Sequence, residues 1–208
     1  MILIGQYDSP FVRRVGVALR LYGLPFEHRP WSTFSDADKI LPLNPLLRVP
    51  TLVLDDGDIL IDSHIILDYL DSLVPEAKAL VPRREPARHR VLRIVALGTG
   101  LADKAVSLFY ERRMHKEVSE TWSARCRTQI SSVLAVLERE RTAGPGAYWF
   151  GDVIGHADIA VAVALRFAGE AHPGLIDWTR YPALAAHAAR LEALPLFQEI
   201  SQPFIAPA

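Results

Sequence analysis

Cysteine is nearly missing from this chain, with one thiol, Cys126, in 208 residues. A single cysteine makes neither an internal disulfide nor a zinc site. The seven histidines show no metal-ligand spacing, so no structural metal is expected. An excess of one charge is missing too: 23 Lys and Arg face 24 Asp and Glu, a formal net charge of -1. No basic field is left to draw nucleic acid or an anionic membrane. No apolar run approaches the roughly 20 residues of a membrane-spanning helix. The opening "MILIG" lacks a basic flank and is too short for a secretory signal. Together these absences predict a cytoplasmic protein without nucleic-acid or membrane partners. What is present is ordinary, 50% hydrophobic and 23% charged residues, enough for a chain of this length to bury a core.

Strand patterning is confined to the first third. "MILIGQ" reads as a strand, and "PFVRRVGVALRLYG" as a helix with Pro10 in its first turn and Gly23 as its stop. Its Val12, Val15, Ala18 or Leu19 and Tyr22 fall at helical spacing. "PFEHRPW" is a second short strand, "STFSDADKILPLNPLLR" a weak helix, and "VPTLVLDDGDILIDS" two strands joined at "DDGD", a hairpin signal. "HIILDYLDSLVP" is a helix with Ile65, Ile66, Tyr69, Leu70 and Leu73 as its expected apolar side. The order is β-α-β-α-β-β-α. Beyond it only helical periods occur, over 84–112 and over 118–141, the latter with Trp122, Cys126, Ile130, Val133 or Leu134 and Leu137 on one face. "HADIAVAVALRFAG" is apolar all round and expected to be the buried central helix. "YPALAAHAARLEAL" places Leu184, Ala188 and Leu191 at helical spacing. The expectation is an α/β domain over 1–77, a linker over 78–83 and an all-helical domain over 84–208.

Between the first strand and its helix lies "YDSPFVRRV", a corner that presents the hydroxyl of Ser9, pinned by Pro10. With "NPLLRVPTLV", "LIDSHIILDYLD" and "GHADIAVA" following in order, the chain resembles a cytosolic glutathione S-transferase of the bacterial, serine-type kind. That resemblance covers nearly the whole chain. It implies a thioredoxin-like N-terminal domain followed by an all-helical domain, a homodimer, and glutathione as co-substrate without a metal. It also implies an enzyme, a glutathione transferase of the detoxification type that conjugates the tripeptide to a small electrophile.

Site residues follow from the same resemblance. Pro50 would be cis and turn the backbone of Val49 outward to pair with the cysteinyl unit of glutathione. Ser63, at a helix N-terminus, would hold the γ-glutamyl carboxylate, and Asp62 the ammonium group. Arg48 would reach the glycine carboxylate. Ser9 would donate a hydrogen bond to the sulfur. Phe11 and Tyr7, with Asp103, Tyr110 and Met114 on the long fourth helix, are candidates for the electrophile pocket.

Each assignment has a plainer counterpart. "VPT" also suits a trans proline opening an edge strand. Asp and Ser are common N-caps, and Arg48 suits a solvated surface. Tyr7 rivals Ser9, because other classes of the family use a tyrosine hydroxyl. Relatives with cysteine at the Ser9 corner do thiol-transfer chemistry, which serine does not support. Cys126 falls on an apolar stripe and is expected to be buried and inert. Gly155 stands where the family has Ser or Thr, before a structural Asp158. Gly98 and Gly100 each cost a helix about 1 kcal/mol, which suggests a close backbone approach to a partner subunit or beside the cleft, or a harmless kink. Trp31 is read as packing or interface. A non-catalytic scaffold of the same fold, and a different glutathione-dependent reaction (dehalogenation, peroxide reduction or isomerisation), remain as alternatives.

Overall fold

A computed structural model of the chain describes residues 1–144 and 146–206. Its contacts divide it into two units, Met1–Arg83 together with the chain from Pro195 onward, and Arg84–Leu194. The predicted helical domain ran to residue 208, so the last segment belongs elsewhere than expected. The cause is Arg13, a buried cation on the first helix. It donates from Nε to the Ile200 carbonyl (2.7 Å) and from Nη2 to that of Phe197 (2.8 Å). A buried guanidinium needs such acceptors, and the C-terminal segment supplies them.

In the first unit, β1 (Ile2–Ile4) and β2 (Glu27–Arg29) run parallel, joined by α1 (Pro10–Tyr22). After the short α2 (Ala37–Ile40), β3 (Thr51–Val53) pairs antiparallel with β1, and β4 (Ile59–Ile61) antiparallel with β3. The sheet order is β2-β1-β3-β4, with Leu3, Leu52 and Leu60 in register across it. Helix α1 starts and stops where its signals put it. Ser9 caps it by accepting from the Val12 N–H (3.4 Å), Pro10 is its first residue, and Gly23 (φ 67°) closes it in the left-handed region.

Helix α3 (Ser63–Ser72) buries Ile66, Leu67 and Leu70. Ile65 is 58% exposed and Leu73 is exposed as well, which corrects their expected place on the apolar side. The polar Ser63 and Asp71 occupy the inward face, held by Arg14 and by the Tyr22 hydroxyl, and this rotation turns Ile65 and Leu73 outward. The linker expected over 78–83 is hydrogen-bonded to the first unit. The Leu80 N–H donates to the Tyr22 hydroxyl (2.9 Å), and Arg83 donates to the carbonyls of Asp71 and Val74.

The second unit is helical: α4 (Ala87–Met114), α5 (Glu120–Ala143), α6 (His156–Ala171) and α7 (Pro182–Glu192). Every residue of α6 from His156 to Leu165 is buried, as its all-round apolarity predicts, and it packs chiefly on α4. Gly98 explains how closely. A Cβ there would lie 3.0 Å from the Ala160 carbonyl carbon, whereas one at Gly100 would meet nothing within 4 Å. The close approach is therefore to the chain's own α6. The buried stripe of α5 is Ser123, Cys126, Ile130, Leu134 and Leu137. Trp122, expected on that stripe, is 37% exposed, one residue off its centre. Asp158 accepts from the N–H groups of Trp149 (2.7 Å) and Gly155 (2.9 Å), so it closes the loop before α6 where Gly155 has no side chain to do so. A final short helix, α8 (Pro195–Glu199), belongs to the first unit.

Candidate functional site

The loop before β3 is shaped from within by Asn44, a buried side chain that sequence reasoning passed over. Its Nδ2 donates to the Arg48 carbonyl (2.8 Å) and to Thr51 Oγ1 (3.1 Å), while its Oδ1 accepts from the Leu46 N–H (3.0 Å). Leu47 takes φ 50°, and the Val49–Pro50 peptide is cis. The plainer alternative of a trans proline opening a strand does not hold. Gly5, at the end of β1, seats this loop: a Cβ there would lie 2.5 Å from Val12 Cγ2 and 2.8 Å from Val49 Cβ, and its φ is 125°. A side chain would be strained and would clash, so glycine is what lets the cis-proline loop reach the start of α1. The glycine that closes "MILIG" is the sequence signal for this close approach.

Opposite lies the N-terminus of α3. Asp62 is its N-cap, with Oδ1 accepting from the His64 N–H (2.8 Å), and holds φ 69° and ψ 129°. That is costly backbone for a residue with a side chain, and such strain concentrates at ligand sites. Ser63 is buried, and its Oγ accepts from Arg14 Nη1 (3.3 Å). Arg14 is itself fully enclosed; burial pulls its pKa down to about 10, against the opposing pull of Asp62 and Asp71. It remains a cation at neutral pH. With its oxygen receiving that donor, the Ser63 hydroxyl has its proton left to give. Arg14 carried no sequence signal beyond its place in a helix.

These pieces share one shallow cleft, lined by Phe11, Leu46, Arg48, Val49, Pro50, Ile61, Asp62 and Ser63 with Asn44. Arg48 is exposed at its rim. Ser9 is not part of that lining. It caps α1 two residues before Phe11, half-buried, with its oxygen accepting from the Val12 N–H of the first turn. Tyr7 is 8% exposed and stacks on His28 at 3.8 Å, and a Cβ at Gly16 would come within 2.9 Å of its ring. Burial, with Glu199 adding to it, pushes its phenol up to about 12. Trp31 lies half-buried beneath the Arg29 guanidinium (5.5 Å) and the Lys39 ammonium (5.8 Å).

Asp103, Tyr110 and Met114 belong to the second unit. Asp103 pairs with Lys104 (2.9 Å), Tyr110 is exposed, and Met114 is 61% exposed. Cys126 is buried, and burial raises its thiol pKa, which leaves it protonated and unreactive. Among the described residues no group of three His, Cys, Asp or Glu could hold a metal ion, and no helix is long and apolar enough to cross a membrane.

Residues 3–78 match the glutathione S-transferase N-terminal domain, and residues 120–190 match the C-terminal domain. The GST-like protein YibF of Escherichia coli K12 is 34% identical over 80% of this chain and 81% of its own. A maleylacetoacetate isomerase of Pseudomonas aeruginosa is 28% identical over 98% of both chains. A glutathione S-transferase of Methylobacterium radiotolerans, solved with glutathione sulfonate, superposes with a TM-score of 0.88 at 31% identity, covering 100% of this chain and 98% of that one. One from Methylobacillus flagellatus, solved with glutathione bound, also gives 0.88, at 26% identity over 96% and 98%. With a thioredoxin-like unit carrying a cis-proline loop, a helical unit, and relatives of this kind along its length, the chain belongs to the glutathione S-transferase family.

Proposed function

We propose that this protein is an enzyme that binds glutathione in the cleft of its first unit, activates the thiol with the Ser9 hydroxyl, and adds the thiolate to a small electrophile. The observation that carries the proposal is the pairing, in one cleft, of the cis Val49–Pro50 peptide with the strained, polar N-terminus of α3. A peptide needs backbone partners, and a carboxylate needs donors at a positive helix end. Val49 offers its backbone to the cysteinyl unit. Ser63, backed by Arg14, donates to the γ-glutamyl carboxylate, and the free oxygen of Asp62 takes the ammonium group. Arg48 at the rim meets the glycine carboxylate. The structural neighbours hold glutathione or its sulfonate, which supports the same ligand here.

A free thiol titrates near pH 8.5, so only a few per cent is thiolate at neutral pH. Lowering that value by about 2 units takes about 2.7 kcal/mol. A hydrogen bond to an anion is worth about 1.5–3 kcal/mol, and the N-terminus of α1 adds a few tenths more, so one serine hydroxyl suffices. In the transfer step the thiolate forms the carbon–sulfur bond as the electrophile's leaving group departs with the electron pair, or as a double bond accepts it. Tyr7 is the weaker candidate because its ring is packed between His28 and Gly16. An isomerase reaction through the same thiolate is favoured by the full-length likeness to maleylacetoacetate isomerase. A homodimer and a cytoplasmic location belong to the same proposal, the first to be checked by light scattering.

The test is a titration of bound glutathione by its thiolate absorbance between about pH 5 and 9, in the wild type, Ser9→Ala and Tyr7→Phe. A depressed thiol pKa that only Ser9→Ala restores is the expected result. Binding with an ordinary thiol pKa in all three proteins would make the chain a glutathione-binding scaffold instead.

A further inference from the structure

A second cavity lies within the second unit, between the last turn of α5 and helix α7. Arg141 and Thr142 line it from α5, and Ala183, Ala186, His187 and Arg190 from α7. Arg141 directs Nη2 to the carbonyls of Gly146 (2.6 Å) and Ala147 (3.2 Å), while its Nη1 is enclosed without a hydrogen bond. Arg190 is exposed and adds a second guanidinium. The acids beside them are engaged elsewhere. Asp158 accepts from the N–H groups of Trp149 and Gly155, and Glu138 accepts from those of Ala183 and Leu184, both at 2.9 Å, closing the first turn of α7. The cavity therefore carries donors and positive charge that the fold itself leaves unused.

His187 stands among these charges, 2% exposed, with both ring nitrogens enclosed and neither hydrogen-bonded. A buried polar group in that state calls for a partner. Nε2 lies 3.8 Å from Asp158 Oδ1, and that carboxylate favours the ring proton on Nε2. Nδ1 is then left as an acceptor. Burial, with Arg141 and Arg190 adding to it, lowers the pKa to about 4 against the pull of the Asp158 backbone. The ring is thus neutral at neutral pH. A neutral acceptor flanked by two guanidiniums suits an anion that brings a proton of its own. We propose that this cavity binds a protonated phosphate group, its P–OH donating to His187 Nδ1 and its other oxygens accepting from Arg141 Nη1 and Arg190. Free phosphate and the phosphate of a small monoester share that chemistry. Thr142 and Ala186 are exposed, which leaves the remainder of a monoester a way out to solvent. Sulfate and carboxylates carry no proton at neutral pH and are refused, because Nδ1 would face an oxygen that cannot donate. The site belongs to the second unit and is independent of the glutathione reading.

The test is a nuclear magnetic resonance titration of the full chain carrying nitrogen-15 histidine, at constant ionic strength near pH 6.5, where a phosphate monoester is partly protonated. Inorganic phosphate, methyl phosphate, sulfate and acetate are compared, and the His187 imidazole signals are those that His187→Gln removes. Phosphate is expected to shift these signals and to bind at least about tenfold tighter than sulfate or acetate. Arg190→Gln, a change at an exposed position, is expected to weaken phosphate about tenfold, with Arg190→Lys recovering part of the loss. Methyl phosphate binding as well as free phosphate assigns a monoester ligand, and its rejection assigns free phosphate. Phosphate that leaves the His187 signals in place, that binds no better than sulfate, or that is indifferent to Arg190→Gln would overturn the site.

Discussion

Ser63 and Arg14 show how a ligand-facing hydroxyl is prepared by a residue behind it. Arg14 is buried and charged, a state the interior tolerates only when the cation is hydrogen-bonded. Its donor to Ser63 (3.3 Å) orients the hydroxyl, while Asp62 and Asp71 offset the charge. Arg14→Met keeps the length of the side chain and removes the donor. Glutathione affinity is expected to fall about tenfold, in keeping with the loss of one charge-assisted contact, and isothermal titration beside a thermal unfolding scan checks it. An unchanged affinity would mean that Ser63 does not contact the ligand. The residue types at the site were legible in sequence: "RVP" and "DS" are short motifs with a chemical reason. Arg14, Asn44 and Gly5 were not, because their roles depend on neighbours 49, 4 and 44 positions away, namely Ser63, Arg48 and Val49.

At the scale of elements, α4 carries two glycines of the same intrinsic cost and opposite surroundings. Gly98 faces the α6 backbone at 3.0 Å, while Gly100 faces open space. Gly98→Ala is expected to force the two helices apart and destabilise the protein by about 1–3 kcal/mol, the range for overpacking. Gly100→Ala is expected to stabilise it by up to about 1 kcal/mol through helix propensity. Urea unfolding of both variants measures the contrast, and equal effects would refute it. Periodicity located α4, α5, α6 and α7. It did not fix the rotation of α3 or the centre of the α5 stripe, because polar anchors such as Asp71 and Ser123 sit inside the buried faces. A hydrophobicity pattern counts such residues as surface.

At the scale of the whole molecule, stability against pH gathers in the second unit around Asp158 and His187. Both are buried, with His187 Nε2 3.8 Å from Asp158 Oδ1 and its ring edge-on to Trp149. Burial lowers the His187 pKa to about 4 from 6.5, with Arg141 adding to it. Burial raises that of Asp158 to about 6 from 3.8, against the donors from Gly155 and Trp149. Between pH 6.5 and 4 the unfolded chain binds the His187 proton more readily than the folded one, so acidification removes stability through His187. Between pH 6 and 4 the folded chain holds the Asp158 proton more readily, so acidification adds stability through Asp158. The two nearly offset in the wild type. His187→Gln is expected to leave the Asp158 slope, with stability rising as pH falls from 6 to 4. Asp158→Asn, less stable throughout for want of its caps, is expected to show the opposite slope. Denaturant midpoints across that range read both, and parallel curves in the two variants would sink the account.

By itself the sequence determined the local parts. Pro10 and Gly23 bound α1, "DDGD" turns β3 into β4, and an apolar period with no polar face makes α6 central, because each follows from backbone preference or from the cost of exposing apolar surface. The order of those parts, with "SPF", "RVP", "DS" and "GHAD" at their spacings, was enough to indicate the family. Only the tertiary structure decided where the end of the chain goes, which face α3 turns inward, and how the cis-proline loop comes to rest on Gly5. Those outcomes are set by buried charges seeking acceptors and by the volume a Cβ would occupy, and both are properties of residues brought together from far apart in the chain.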